Sequence, residues 1–208
     1  MLLPEECKMP EISINCKVMP RYFFARLIGE NIGIKEEAYR AVFIRLTDKA
    51  LYEYNMARNA VLAQIEKKDI FHPSTLFIDG TPIYAIVISN HLETCINATK
   101  RAVDVLTRIK CHPKFPVFIN RVHQKRIEKY YKNIKLMRHK LEHVDEEILK
   151  DKIKNGQPFF LITNKDASEA EIGDKKLNLI SLAMVISQLH EIALELASYK
   201  IPGIDHWN

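Results

Sequence analysis

The chain has 208 residues, 47% hydrophobic and 27% charged, which is long and apolar enough to bury a core without disulfides or metals. Disorder is not the expected state, and six Gly and nine Pro are too few for a turn-rich β-sandwich of this length. The net charge of +5 is unevenly spread: residues 100–140 hold thirteen Lys or Arg against Asp104 and Glu128, so the rest of the chain is net acidic.

Residues 1–34 show no sustained periodicity and read as an irregular arm with a short turn of helix near Tyr22. A long helix follows, its stripe set by Val42, Leu46, Ala50, Tyr54, Ala57, Val61 and Ile65. His72-Pro73 marks a break, and Leu76–Asp79 is a short apolar run ending in an Asp79-Gly80 turn. A second helix spans 82–110 on Ile88, Leu92, Ile96, Thr99, Val103 and Leu106. Pro113 and Pro116 separate it from a third, over 117–154, where Tyr130, Ile134, Met137, Leu141, Val144 and Ile148 step 4-3-4-3-4. Asn155-Gly156 stops that helix. Residues 158–163 then read as a strand, with 171–179 as its hairpin partner across a loop at 164–169. A fourth helix over 179–199 carries Leu182, Ile186, Leu189, Ala193 and Leu196, and Pro202-Gly203 ends it.

The sequence therefore predicts a mainly α protein: a four-to-five-helix bundle over 35–200, with a small β-hairpin between the last two helices and a tail at 201–208. The cysteines Cys7, Cys16, Cys95 and Cys111 show no C-x-x-C spacing, which argues against a zinc ribbon or a redox motif and for a reducing compartment. The start MLLPEECK has acid where a signal peptide needs base, and the run Ile83–Ile88 is too short for a bilayer. A cytoplasmic protein without membrane contact is the expectation.

The third helix carries the chemistry. At about 100° per residue, with Met137 at zero, its apolar stripe centres near about 20°. His139 falls at about 200° and His143 at about 240°, among Arg121, Lys125, Lys129, Lys132 and Lys135, which span about 160–280°. Both histidines thus share the outward basic face. Such a face suits a phosphate-bearing partner, and it suits a merely solvated helix surface as well. Arg138, Glu142 and Asp145 lie on a flank at about 80–140°. Arg138 and Glu142 are also spaced as a helix-stabilising ion pair. Arg138 and His143 are about 140° apart, so one straight helix does not bring them together without Arg's reach, a distortion or a second copy of the chain.

The run Arg138-His139-Lys140-Leu141-Glu142-His143-Val144-Asp145-Glu146 resembles the R-x4-H motif of the HEPN superfamily (higher eukaryotes and prokaryotes nucleotide-binding), with the E-H-x-D-E continuation of its bacterial members. The resemblance covers residues 117–200 at most. It implies a metal-independent endoribonuclease of a toxin–antitoxin or phage-defence system, a homodimer with no cofactor, and an antitoxin as a possible partner protein. It also implies roles: His143 as general base or acid, Arg138 as phosphate clamp, His139 as positioning residue, and Glu142 and Asp145 as supports. The basic face would bind RNA. Many members of the superfamily are non-catalytic binding or scaffold modules, which is the alternative. Members modified by a nucleotidyltransferase carry Tyr two residues after the motif His; here that position is Asp145, which departs from the pattern.

The same residues admit a third reading. His139-Lys140-Leu141-Glu142-His143 is H-x-x-E-H, an inverted zincin pattern. A zinc hydrolase would need a third ligand, such as His190 or Glu191, and a cationic face opposes Zn²⁺. His72 and His112 read as loop residues, His91 and His123 as helical histidines without identified partners, and His206 and Trp207 as part of the tail.

Overall fold

A computed structural model describes residues 4–13, 17–28, 33–67, 82–112, 120–151, 154 and 156–198. Among them, apolar residues at steps of three and four build α1 (Val18–Ile28), α2 (Ile34–Lys67), α3 (Pro82–Cys111), α4 (Arg121–Leu149) and α5 (Leu179–Ser198). A small antiparallel sheet of β1 (Ile162–Thr163), β2 (Glu169–Ile172) and β3 (Lys175–Asn178), in that spatial order, lies between α4 and α5. The protein is mainly α, as the sequence predicts.

The longest helices, α2 and α3, pack antiparallel, the start of α2 against the end of α3. There His112 Nδ1 lies 3.6 Å from Glu36, and the His112 and Tyr39 rings meet in a T-shaped contact with centroids 6.3 Å apart. Their seam buries Ala50, Tyr54, Ala57 and Val61 against Leu92, Ile96, Ala102 and Leu106. The last helix, α5, completes the core, with Leu182, Ile186, Leu189, Ile192 and Leu196 fully buried. It is long and apolar enough to cross a membrane, but 56% of that stretch is buried inside the bundle, as in a core helix.

Side chains from other elements satisfy two helix ends. The Asp48 carboxylate on α2 accepts from the N–H groups of Val18 and Met19 at 3.0 and 2.9 Å, capping α1 from outside its own sequence. Buried Arg40 donates to the carbonyls of Leu196 and Ala197 at 2.6 and 2.8 Å, capping the C-terminus of α5. Local caps serve elsewhere: Asn120 accepts from Val122 N–H at 2.9 Å at the start of α4, and Asn178 from Ser181 N–H at 2.9 Å at the start of α5.

Several details differ from the sequence expectation. Helix α1 begins at Val18 rather than near Tyr22, because the Asp48 cap supplies a start that local residues do not. Segments of the arm also enter the core through Met9, Ile12, Val18 and Tyr22. The first strand is confined to Ile162–Thr163. The predicted partner strand is two: Gly173, at φ +58°, turns the chain between β2 and β3. The resulting sheet is a three-stranded meander paired Thr163↔Ala170 and Ala170↔Leu177. The α4 stripe is buried at Ile134 and Met137 but fades at Ile148, which is 47% exposed. The Leu76–Gly80 turn, the Pro113 and Pro116 breaks, the start of the third helix at 117 and the tail at 201–208 lie outside the described residues.

Candidate functional site

The α4 helix sets the site. Ile127, Ile134 and Met137 anchor one side to the core, and Tyr130, Leu141 and Val144 pack partly against it. Rotation by about 180° turns Arg121, Lys125, Lys129, Lys132 and Lys135 outward, and all five are exposed. Among the described residues none of the five is paired with a carboxylate. Lys129 instead lies over the ring of Tyr130, 5.0 Å from its centroid. The face therefore carries five cations without a carboxylate partner, while Glu128 among them is paired with Lys110 of α3 at 3.7 Å.

His139 and His143, one turn apart on that face, form a contacting pair with ring centroids 4.4 Å apart. His143 Nδ1 lies 3.1 Å from the Glu146 carboxylate, which also accepts from Lys150 at 3.2 Å. The hydrogen bond to His143, with the Lys150 contact, holds the Glu146 carboxyl below its ordinary range. An ionised carboxylate only accepts, so Nδ1 of a neutral His143 carries the proton and Nε2 presents the lone pair. This is the arrangement a general base requires: a free nitrogen, with the other fixed by an acid.

Arg138 occupies the flank between the basic face and the core. Its guanidinium forms an ion pair with Glu142 one turn on, while buried Nε has no acceptor among the described residues. Beside it, Tyr131 Oη donates to Asp104 of α3 at 2.9 Å, and Lys100 holds the other Asp104 oxygen at 2.5 Å. Burial, then the bond to Asp104, raises the Tyr131 phenol, and the nearby Arg138 charge opposes that rise. The flank is thus a polar seam between α3 and α4.

The structure brings together Arg138 with Glu142, and His143 with His139 and Glu146. Within one chain Arg138 and His143 face different partners, as their angular separation predicts. Asp145 does not join Arg138; Glu142 alone takes the supporting position. Among the described residues no group of three metal-ligating side chains converges, so neither His190 nor Glu191 completes a zinc set with His139 and His143. His190 is buried in the core. The other helical histidines do have partners: His91 pairs with Glu53 at 2.6 Å, and His123 with Gln188 at 2.7 Å.

Sequence reasoning missed Glu146 and the Asp104–Tyr131 pair. Glu146 stands three residues after His143, a spacing that lets neighbours meet on a helix. Tyr131 stands seven before Arg138 and so on the same flank. No protein-family model matches this chain, and neither a curated relative nor a solved structure matches it.

Proposed function

We propose that the protein is RNA-directed: a metal-independent endoribonuclease of the HEPN type, acting as a homodimer. The observation that carries this reading is the His143–Glu146 pair, which leaves Nε2 without a partner among the described residues, on a face rich in exposed cations. RNA supplies its own nucleophile, the 2′-OH. His143 Nε2 takes the 2′-OH proton, the 2′-oxygen attacks the adjacent phosphorus, and the P–O5′ bond breaks. A protonated histidine from a second copy delivers a proton to the departing 5′-oxygen. Arg138, with forked donors, stabilises the phosphorane charge. Arg121, Lys125, Lys129, Lys132 and Lys135 hold the flanking phosphates, and His139 positions His143 through ring contact.

The test is cleavage of single-stranded RNA by the parent, His143→Ala and Arg138→Ala, with and without EDTA. His143→Ala should abolish cleavage, and Arg138→Ala should lower its rate at least about 10²-fold, with EDTA without effect. Zinc bound at about one per chain and lost on His139→Ala would replace this reading with hydrolase chemistry.

The Arg138–Glu142 ion pair favours a second reading, a non-catalytic RNA-binding module in which Arg138 only stabilises the helix. It predicts RNA binding by the parent without any cleavage.

A further inference from the structure

A second surface lies away from the α4 motif, on α1. At about 100° per residue, with Val18 at zero, buried Val18, Tyr22 and Ala25 cluster near about 10°. Phe23, Leu27, Pro20 and Phe24 fall at about 140–240°, on the opposite side. That side is apolar too, and it is open: Phe23, Phe24 and Leu27 are 54%, 59% and 84% exposed. Arg26 at about 80° and Arg21 at about 300° frame it on both edges. Both arginines are exposed, and neither meets an acid among the described residues. The helix itself contains no Asp or Glu. Its start is capped by Asp48, and further on Tyr22 bonds to Glu37 at 2.6 Å beneath the Arg40 guanidinium, so α1 runs antiparallel to α2. Its end therefore returns to the start of α2, where Ile34 and Lys35 are exposed. A surface helix normally turns polar side chains outward. This one turns out an apolar ridge between two cations.

We infer that α1 is a membrane-docking helix, which lies in the surface of a bilayer bearing anionic lipids. Phe23, Phe24 and Leu27 enter the boundary between headgroups and acyl chains, and Arg21 and Arg26 reach the anionic headgroups from either side. The exposed side of a helix is convex. A fluid acyl layer closes around such a shape, whereas a protein partner would have to supply a matching groove. A second copy of the chain fits less well, because an isologous contact through this face brings four arginines together with no acid from α1. Docking of this kind needs no spanning helix, and it departs from the membrane-free expectation of the sequence. It stands whether or not α4 cleaves RNA, because it shares no side chain with the motif.

Co-sedimentation of the full chain tests the inference, with vesicles of phosphatidylcholine alone and of equimolar phosphatidylcholine and phosphatidylglycerol. The protein should pellet with the anionic vesicles and much less with the neutral ones. Phe23→Ala/Phe24→Ala should weaken that binding at least about tenfold, since the two half-exposed rings together amount to about one newly buried Phe. Arg21→Gln/Arg26→Gln should also weaken it at least about tenfold, at about fivefold per cation. The basic face of α4 attracts anionic lipid as well, so insertion is followed at α1 itself. Leu27→Trp, in a Trp207→Phe background, should shift its emission to the blue and be quenched by brominated acyl chains when anionic vesicles are added. The altered α1 side chains are exposed, and helicity and melting temperature establish that each variant folds. Three results overturn the inference: a parent that stays in solution with anionic vesicles, as a ridge made for a protein partner would; folded α1 variants that pellet like the parent; or Leu27→Trp emission that acyl-chain bromine leaves unquenched. Self-association that Phe23→Ala/Phe24→Ala abolishes, without vesicle binding by the parent, overturns it too, making the ridge a contact between copies.

Discussion

Arg138 and Glu142, one turn apart on α4, form an ion pair at the edge of the face that carries His143. The pair is part-exposed, 27% and 38% at the two side chains, so its stability contribution is that of a surface i,i+4 pair. Glu142→Ala should cost about 0.3–0.5 kcal/mol in urea denaturation. It also releases the guanidinium, so RNA binding should be retained or strengthened. Loss of RNA binding with the fold intact would show that Glu142 does more than hold Arg138.

Met137 sits at the centre of the α4 stripe, fully buried beside the residues whose chemistry is proposed. Met137→Ala should destabilise the protein by about 2–5 kcal/mol, through lost burial and the cavity left behind. His139→Ala and His143→Ala should leave stability nearly unchanged, because both rings face outward. Equal destabilisation by all three in denaturant titrations would contradict the assignment of faces.

Arg40 is 3% exposed and donates to two carbonyls at the end of α5. Arg40→Ala leaves those acceptors without it and should cost about 2–4 kcal/mol. Arg40→Lys should recover little, because an ammonium cannot reproduce the fork that spans Leu196 and Ala197. Thermal unfolding of the two variants distinguishes this cap from simple charge balance, under which the lysine would restore the parent value.

The arm is fastened at the other end of the molecule. Lys8 N–H donates to the Asp166 carbonyl at 2.7 Å, and the Lys8 ammonium meets the Asp166 carboxylate at 2.8 Å. The bond from Lys8, then those from Ser168, hold that carboxyl well below its ordinary value of 3.8. A depressed carboxyl contributes stability that is fully present above the ordinary value and is lost as pH falls below it towards the folded-state value. Acidification below about pH 4 should therefore loosen residues 5–8 before the bundle unfolds. The amide protection factor of Lys8 should fall there in the parent. In Asp166→Asn it should be low at every pH. A protection factor in the parent that stays constant through this range would count against the clasp.

The legible parts of the fold are those fixed by periodicity. The stripes of Leu46, Ala50 and Tyr54 and of Ile134 and Met137 determine where helices lie and which faces turn inward. The histidines and the basic face could be placed from the same wheel. What sequence spacing could not supply is contact between distant segments. Asp48 capping α1 and Arg40 capping α5 both act across long separations and leave no local signature. The turn at Gly173 does carry a local signal, the Gly173-Asp174 pair between Ile172 and Lys175, which reading 171–179 as one strand passes over. At the site, Tyr131 reaches Asp104 on another helix, a pairing set by packing alone.

The proposed dimer site rests on Arg138 and His143 acting together from opposite chains, since within one chain they face apart. Its most direct measurement mixes two inactive variants, Arg138→Ala and His143→Ala, under conditions that exchange subunits, and follows RNA cleavage. A mixed dimer carries one intact Arg138 and one intact His143 on opposite chains. The mixture should cleave clearly faster than either variant alone, neither of which exceeds about 1% of the parent rate, and should stay below the parent because the mixed dimer lacks the second His143 that serves as general acid. A mixture that forms mixed dimers, shown by native mass spectrometry, yet stays as inactive as its components would contradict it.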